Sequence, residues 1–400
     1  MAKQIDVTGG SRVYLGTAGE LLPELLPQKR VIVISDSSID RTHHDLIAPY
    51  EHILVGQGEQ AKNLATLEDI YRQLIEMGAD RSTFILGIGG GIVTDIAGFV
   101  ASTYMRGVEF GFVTTTLLGS VDASVGGKNG VNVGGFKNMV GVFSQPRFVI
   151  CDAELLHTLP DREFRAGLAE VIKTAILGDA ELFEILERSD FDKIRNSATL
   201  LEDIIVRCVQ VKASVVAEDE RESGRRRILN LGHTLAHAIE KLSSKFSHGE
   251  AVAIGLYHIT MSALSHNMIS KEESDRIFAI LEQYGFVTAL PVERKEILKA
   301  IEGDKKRKGD SIHLILPTAI GSVDDKSVKL VELAELLETK IDALRHLFSF
   351  QIYKGEWTII LLASLELLAS DLLPFAHIEF RKRGVALVLF MYDCEIDFIG

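Results

Sequence analysis

RVIVISD, Arg30 to Asp36, is a run of β-branched residues closing on a polar turn, which reads as a parallel strand buried on both faces. The pattern returns along the chain. TFILGIGGGIVTDIAGFVASTYMRG (Thr83–Gly107) reads as strand, glycine turn and then an apolar helix starting near Ile92. EFGFVTTTLLGSVDAS adds a strand and turn, and RFVICD (Arg147–Asp152) one more. Parallel strands need long crossover connections, so this alternation predicts an open α/β sheet with helices against it.

After HTLPDREFRAG the texture changes. From Phe164 to about Ala300 nearly every segment has helical spacing, as in AGLAEVIKTAIL, LLEDIIVRCVQVKASVVAED and AVAIGLYHITMSAL. A length of 400 residues favours two domains. The expected division is an α/β nucleotide-binding domain with a parallel sheet (1–160), a mostly α-helical metal and substrate domain (161–345) and a C-terminal extension (346–400). SIHLILPTAIG (Ser311–Gly321) reads as a late strand or hairpin. WTIILLASLELLASDLLPFAHIEF is very apolar, but Glu366, Asp371 and Pro374 interrupt it. It reads as a packed helix or an appended segment rather than a membrane anchor.

Composition excludes some partners. A formal net charge of -13 argues against general nucleic-acid binding, although it leaves room for a basic pocket that takes a small anion. Cys151, Cys208 and Cys394 are too few and scattered for a disulfide scaffold or a cysteine zinc site. MAKQIDVTGGSRVYLG lacks an apolar core and is no signal peptide, so a cytoplasmic setting is expected.

Chemistry gathers in four stretches. GIGGGIVTD offers a phosphate cradle at a helix start, but Ile92 stands where G-x-G-x-x-G needs its last glycine. Asp36, at a strand end, is a candidate for ribose hydroxyls or a solvated turn residue. SVDASVGGKNGVNVGGFKNMVG (Ser120–Gly141) sets Asp122, Lys128, Lys137 and Asn138 among glycines, as either an anion site or a solvated surface loop. In AGLAEVIK, Glu170 and Lys173 share one face of an otherwise apolar helix, as either a solvated surface pair or a site in which the glutamate needs a partner that a metal would supply. GHTLAHAIEKLSSKFSHGE supplies His233, His237 and His248. A catalytic zinc takes three protein ligands and keeps one open position, but spacing alone does not say which histidines coordinate.

GGGIVTDIAGFVASTYMRG, TTLLGSVDASVGGKNGVNVGGFKNMVG, LPDREFRAGLAEVIK, KASVVAEDE and LNLGHTLAHAIE followed by HGEAVAIG resemble, in order and spacing, the 3-dehydroquinate synthase family of sugar phosphate cyclases. The resemblance runs from about residue 30 to 335. It implies an NAD- and zinc- (or cobalt-) dependent lyase of the shikimate pathway, serving aromatic amino acid biosynthesis. Such an enzyme converts 3-deoxy-D-arabino-heptulosonate 7-phosphate to 3-dehydroquinate and phosphate by transient oxidation, elimination, re-reduction, ring opening and aldol closure. The resemblance matches the metal ligands to Glu170, His233 and His248, and His237 to a substrate contact. It carries catalytic roles to Asp122, Lys128, Lys173, Lys212, Arg226, Asn230 and His237. Substrate contacts fall on Arg106, Lys137, Asn138, Glu222 and one of Lys305 or Lys306. NAD contacts fall on Asp36, Glu59, Lys62, Gly90, Gly91, Ile92, Val93, Thr94, Asp95, Thr115, Thr116, Lys128, Lys137, Leu155 and Thr158. The family is commonly homodimeric, and Arg106 would then reach the neighbouring subunit's pocket. Two departures stand out: Asn129 replaces a common threonine, and the stretch from His237 to His248 is one residue short.

Three other readings compete. A sister cyclase would act on a sugar phosphate without the carboxylate, for which Lys212 and Arg226 are placed. A metal-dependent NAD polyol dehydrogenase would release NADH and has no need of so many lysines. A binding or scaffold protein on a dead fold would not retain the three ligands and the lysines together.

Overall fold

The computed structural model describes residues 3–305 and 310–337 and, farther on, the backbone of 348–353, 356–361, 377–380 and 387–390. Its main sheet is built from β1 (Lys3–Asp6), β2 (Arg12–Leu15), β3 (Val31–Asp36), β4 (Glu51–Val55), β5 (Phe84–Gly89) and β6 (Phe110–Thr114). After a hairpin of β7 (Lys128–Val133) and β8 (Phe136–Phe143), β9 (Phe148–Cys151) rejoins that sheet. The spatial order is β1-β2-β9-β6-β5-β3-β4, and every pairing is parallel except β1 with β2. The chain moves outward from β3 to β4, then returns to lay β5 on the other side of β3. That reversal opens a crevice at the carboxyl ends of β3 and β5, the usual ligand position of such sheets. Asp36 and the glycine turn stand at its two lips.

Helices α1 (Ala18–Leu25), α2 (Ser37–Thr42), α3 (His44–Ile47), α4 (Leu64–Glu76) and α5 (Gly91–Thr103) connect these strands. All of β5 and β6 is buried, which is why their sequences run apolar instead of alternating. Phe84, Leu86 and Ile88 face a core shared with Leu21 and Leu22 of α1. Ile85 faces the opposite core, which continues without a break into the helical half.

That half comprises α6 (Asp161–Gly178), α7 (Ala180–Glu187), α8 (Phe191–Asn196), α9 (Ala198–Glu218), α10 (His233–Leu242), α11 (His248–Ser265), α12 (Lys271–Gln283) and α13 (Arg294–Lys305). The hairpin of β10 (Ser311–Ala319) and β11 (Ser322–Lys329) and the short α14 (Leu330–Leu337) follow. Every residue from Ala166 to Leu177 of α6 and from Ala251 to Ala263 of α11 is buried. Helices apolar all round belong at the centre, and these two form it.

The structure departs from the sequence reading in three places. Strands β1, β2 and β4 are short and partly exposed, and their mixed patterns hid them. The glycine-rich stretch is not a loop: Val133 pairs with Phe136 across Gly134 and Gly135, whose φ values of 60° and 81° make the tight two-residue turn of a hairpin. The apolar run from Trp357 begins as a strand rather than a helix. β12 (Phe348–Tyr353) pairs antiparallel with β13 (Glu356–Leu361), as β14 (His377–Phe380) does with β15 (Leu387–Phe390). The β-branched content of WTIIL favours that outcome. The remainder of the run, with Glu366, Asp371 and Pro374, lies outside the described residues. Among the described residues, no helix is long and apolar enough to cross a membrane.

Candidate active site

Glu170 is fully buried at the centre of α6. Its Oε1 lies 3.2 Å from His248 Nε2 and 3.6 Å from His233 Nε2, and its Oε2 lies 2.5 Å from Lys173 Nζ. Ligand atoms of Glu170, His233 and His248 all fall within 4.8 Å of one another. Neither carboxylate oxygen accepts a well-directed hydrogen bond, although cations stand at ion-pair distance. A buried carboxylate left so costs free energy, and a cation among the three groups would satisfy it. Burial would raise the Glu170 carboxyl, but Lys173 and His233 override it and bring it down to about 2. Burial pushes His233 down to about 3, while for His248 the carboxylates of Glu170 and Glu240 outweigh burial and lift it to about 10. His237 stands aside, its ring edge-on to His233 at 5.5 Å and 6.4 Å from His248.

Local sequence places these groups. In SHGE, Ser247 accepts from the Glu250 N–H while Glu250 Oε2 accepts from the Ser247 N–H at 2.7 Å, a capping box that starts α11 with His248 as its first residue. Glu250 therefore caps and also pairs with Arg162. Directly after His248, Gly249 lets α11 meet α6: a Cβ there would sit 2.1 Å from the Ala166 carbonyl oxygen. Gly255 likewise faces the Gly232 carbonyl, drawing the start of α10 against α11. These contacts bring His233 and His248 to Glu170.

Charged residues of the sheet half meet this centre. Asp122 rides on a wide single turn, Gly119–Ala123, closed by the Ser124 N–H donating to the Gly119 carbonyl at 3.2 Å. Its carboxylate pairs with Lys173 at 3.1 Å and closely with Lys212 of α9, whose Nζ also reaches the Asp122 carbonyl at 2.5 Å. Burial would raise the Asp122 carboxyl, but the two lysines hold it well below its usual range. Burial lowers the Lys212 ammonium, whereas for Lys173 the two carboxylates overcome burial and raise it. Lys128 pairs with Glu222, which accepts from Asn230 Nδ2 at 2.6 Å. Arg226 is 1% exposed, and its guanidinium donates to the carbonyls of Gly126 (2.9 Å) and Glu220. Asp219 accepts from the N–H groups of Ser223, Gly224 and Arg226, which shapes the loop carrying Glu222 and Arg226. Lys137 reaches Glu240 at 2.8 Å.

On the crevice side, α5 opens with Gly90 at its cap and no capping side chain, so its first N–H groups face outward for an anion. Ile92 is partly buried; Val93 and Thr94 pack inward. Lys62 is buried against Asp95 and donates to Asn138 Oδ1 at 2.6 Å. Burial raises the Asp95 carboxyl despite Lys62. Glu59 is exposed and accepts from Asn132 Nδ2 at 2.8 Å. The Thr115 hydroxyl is buried without a partner, and the Thr116 hydroxyl accepts from the Gly119 N–H at 3.0 Å. Thr158 donates to the Leu155 carbonyl at 3.1 Å and lies 2.8 Å from His43 Nε2. Asp36 caps α2, its Oδ1 accepting from Ser38 and Ile39, so it is a structural turn residue as well as a lip of the crevice. Asn129 is buried against Gly98 and donates to the Gly127 and Ser144 carbonyls, so this departure from the common threonine pins the base of the hairpin.

Some candidates are not gathered. Arg106 is exposed in the turn after α5, roughly 20 Å along that helix from the glycine turn. Lys305 is the last residue of α13, and Lys306 lies outside the described residues. The sequence reading missed Glu240, although HTLAHAIE sets it seven residues after His233 and three after His237, on one helical face.

Residues 52–166 match the N-terminal model of 3-dehydroquinate synthase and residues 167–307 its C-terminal model. The chain belongs to the 3-dehydroquinate synthase family. A 3-dehydroquinate synthase of Prochlorococcus marinus (strain MIT 9215) is 41% identical over 339 residues, spanning 80% of this chain and 93% of its own. That of Pelobacter propionicus is 46% identical over 272 residues, 67% of this chain and 76% of its own. Among solved structures, 2-deoxy-scyllo-inosose synthase complexed with carbaglucose-6-phosphate, NAD+ and Co2+ superposes with a TM-score of 0.75 at 26% identity, covering 84% of this chain and 99% of that one. The 2-epi-5-epi-valiolone synthase of Streptomyces hygroscopicus subsp. jinggangensis 5008, with NAD+ and Zn2+ bound, gives 0.75 at 26% identity, covering 86% and 98%. A probable glycerol dehydrogenase from Sinorhizobium meliloti 1021 shares the fold at 17% identity and a TM-score of 0.58.

Proposed function

We propose that this site makes 3-dehydroquinate and phosphate from 3-deoxy-D-arabino-heptulosonate 7-phosphate. The observation that carries it is the convergence of Glu170, His233 and His248 on one point, walled by Asp122, Lys173 and Lys212. The unsatisfied Glu170 oxygens suit a divalent cation, Zn2+ or Co2+; the uncapped start of α5 and the lone Thr115 hydroxyl suit NAD. When bound, the cation would acidify a substrate hydroxyl and NAD would take up and return a hydride.

The chain's own residues bind and orient. Lys173, held protonated by Asp122 and Glu170, is a fixed positive charge beside the Glu170 carboxylate of the three-ligand centre. Lys128 with Glu222 and Asn230 forms a polar bridge that can open toward an anion. Lys212 and Arg226, both pushed down by burial, gain most from pairing with the substrate carboxylate. His237 borders the histidine pair, where its imidazole can exchange a proton with a substrate hydroxyl. Identity of 41–46% to 3-dehydroquinate synthases, against 26% to the sister cyclases, supports the carboxylate-bearing substrate. Turnover assays should show activity on the seven-carbon acid and none on a heptulose 7-phosphate lacking the carboxylate. The reverse preference would make the chain a sister cyclase.

We propose further that the protein is a cytoplasmic homodimer, with residues 1–160 binding NAD, 161–345 holding metal and substrate, and 346–400 apart from the chemistry. The position of Arg106, far from its own glycine turn, suits a residue offered to a neighbouring copy. Sedimentation should show a dimer at working concentration; a monomer alone would contradict this. Removing residues 346–400 should leave turnover per active site nearly unchanged, since the family match ends at residue 307. A truncated protein that binds metal and NAD yet fails to turn over would place the tail in the site.

A further inference from the structure

We infer that Glu240 is the positioning residue that sets His248 for the metal. The inference rests on the metal reading above. In a histidine ligand one ring nitrogen binds the metal, and the partner of the other fixes the tautomer and the ring plane. Both histidines of this centre have such a partner. His233 Nδ1 lies 3.1 Å from the Leu231 carbonyl oxygen, which leaves Nε2 toward Glu170. His248 Nδ1 lies 3.3 Å from Glu240 Oε1, and its Nε2 turns to Glu170 in the same way. With Nδ1–H donating to Glu240, a metal that takes the place of the Nε2 proton would meet that nitrogen's lone pair aimed at the point the three ligands share.

Glu240 is itself held for this work. Its side chain is 5% exposed, and the same Oε1 accepts from Lys137 Nζ at 2.8 Å. One residue on, the Lys241 ammonium stands 5.7 Å over the Phe136 ring, so the end of α10 grips the tip of the β7–β8 hairpin at two neighbouring points. Glu240 Oε2 is buried and has no hydrogen-bond partner. A glutamate serving only as a surface ion pair would turn that oxygen to water, whereas this one is kept inside with its other oxygen on a histidine. The hairpin thus steadies Glu240, and Glu240 steadies His248.

The test is metal binding by the full-length protein, stripped with chelator and titrated with Zn2+ in competition with a chromophoric chelator. The visible spectrum of the Co2+-loaded form gives a second readout. Glu240→Ala should bind Zn2+ about 10- to 100-fold more weakly and show an altered Co2+ spectrum, with the melting temperature of the stripped protein unchanged. Glu240→Gln, whose amide oxygen can still accept from Nδ1–H, should recover part of the loss. A folded Glu240→Ala protein within threefold of wild type overturns the proposal. If that variant does not fold, Glu240→Leu, which fills the buried volume but offers Nδ1–H no acceptor, is judged by the same threefold limit. Wild-type protein that binds no Zn2+, or a Glu170→Gln variant that binds it unchanged, would sink the metal reading itself.

Discussion

Glu170→Ala is expected to abolish both metal binding and turnover while the protein still folds. The side chain supplies the oxygen on which both histidines converge, and two imidazoles alone leave a divalent cation too few protein ligands. A catalytic cation contributes several kcal/mol to the transition state, so the loss should reach roughly a thousandfold or more in turnover. Stability is the competing effect. Lys173 loses one carboxylate, and breaking a buried pair can cost about 3–5 kcal/mol. Asp122, 3.1 Å from the same ammonium, remains to compensate. Glu170→Gln keeps the volume and removes the charge, so it separates the two effects. Elemental analysis and melting curves of both variants give the answer. Full metal occupancy in either would refute the ligand assignment.

Gly249→Ala should be nearly as damaging, through geometry alone. The added methyl would lie 2.1 Å from the Ala166 carbonyl oxygen, a backbone atom that cannot swing aside. α11 must therefore move off α6, carrying His248 away from Glu170. Overpacking of this kind costs about 1–3 kcal/mol, and a misplacement of about 1 Å can cost around 100-fold in rate. The expected signature is a modest fall in melting temperature with a much larger fall in metal affinity and turnover. Gly19→Ala is the control: it lies in α1 with nothing within 4 Å of its Cβ, so it should be neutral or slightly stabilising. A Gly249→Ala protein with wild-type metal affinity would show that the helix contact does not position His248.

The strands that are buried on both faces were legible because burial on both faces leaves uninterrupted apolar runs, as in Phe84–Gly89. Edge strands such as Glu51–Val55 answer to water on one side and carried no such signal. Gly134–Gly135 did carry a hairpin signal, but the surrounding glycines and lysines suggested a loop instead. Within the site, AEVIK announced its buried glutamate because a charge on an apolar helix demands a partner. What spacing could not supply was the choice among His233, His237 and His248. That choice depends on how α10 and α11 lie against α6, and glycines at 232, 249 and 255 permit the approach without any sign of which ring ends nearest Glu170. Glu240 was overlooked although it shares the helical face of His233 and His237. The contact that gives it meaning comes from His248 on the next helix and Lys137 on the hairpin.

In the proposed reaction NAD is oxidant and then reductant within one turnover. This is tested most directly by measuring phosphate release and NADH together, on metal-loaded protein supplied with 3-deoxy-D-arabino-heptulosonate 7-phosphate and NAD far below the substrate concentration. Many phosphates should be released per NAD, with one 3-dehydroquinate per phosphate and no net NADH. NADH accumulating one for one with product, or no phosphate released at all, would contradict it.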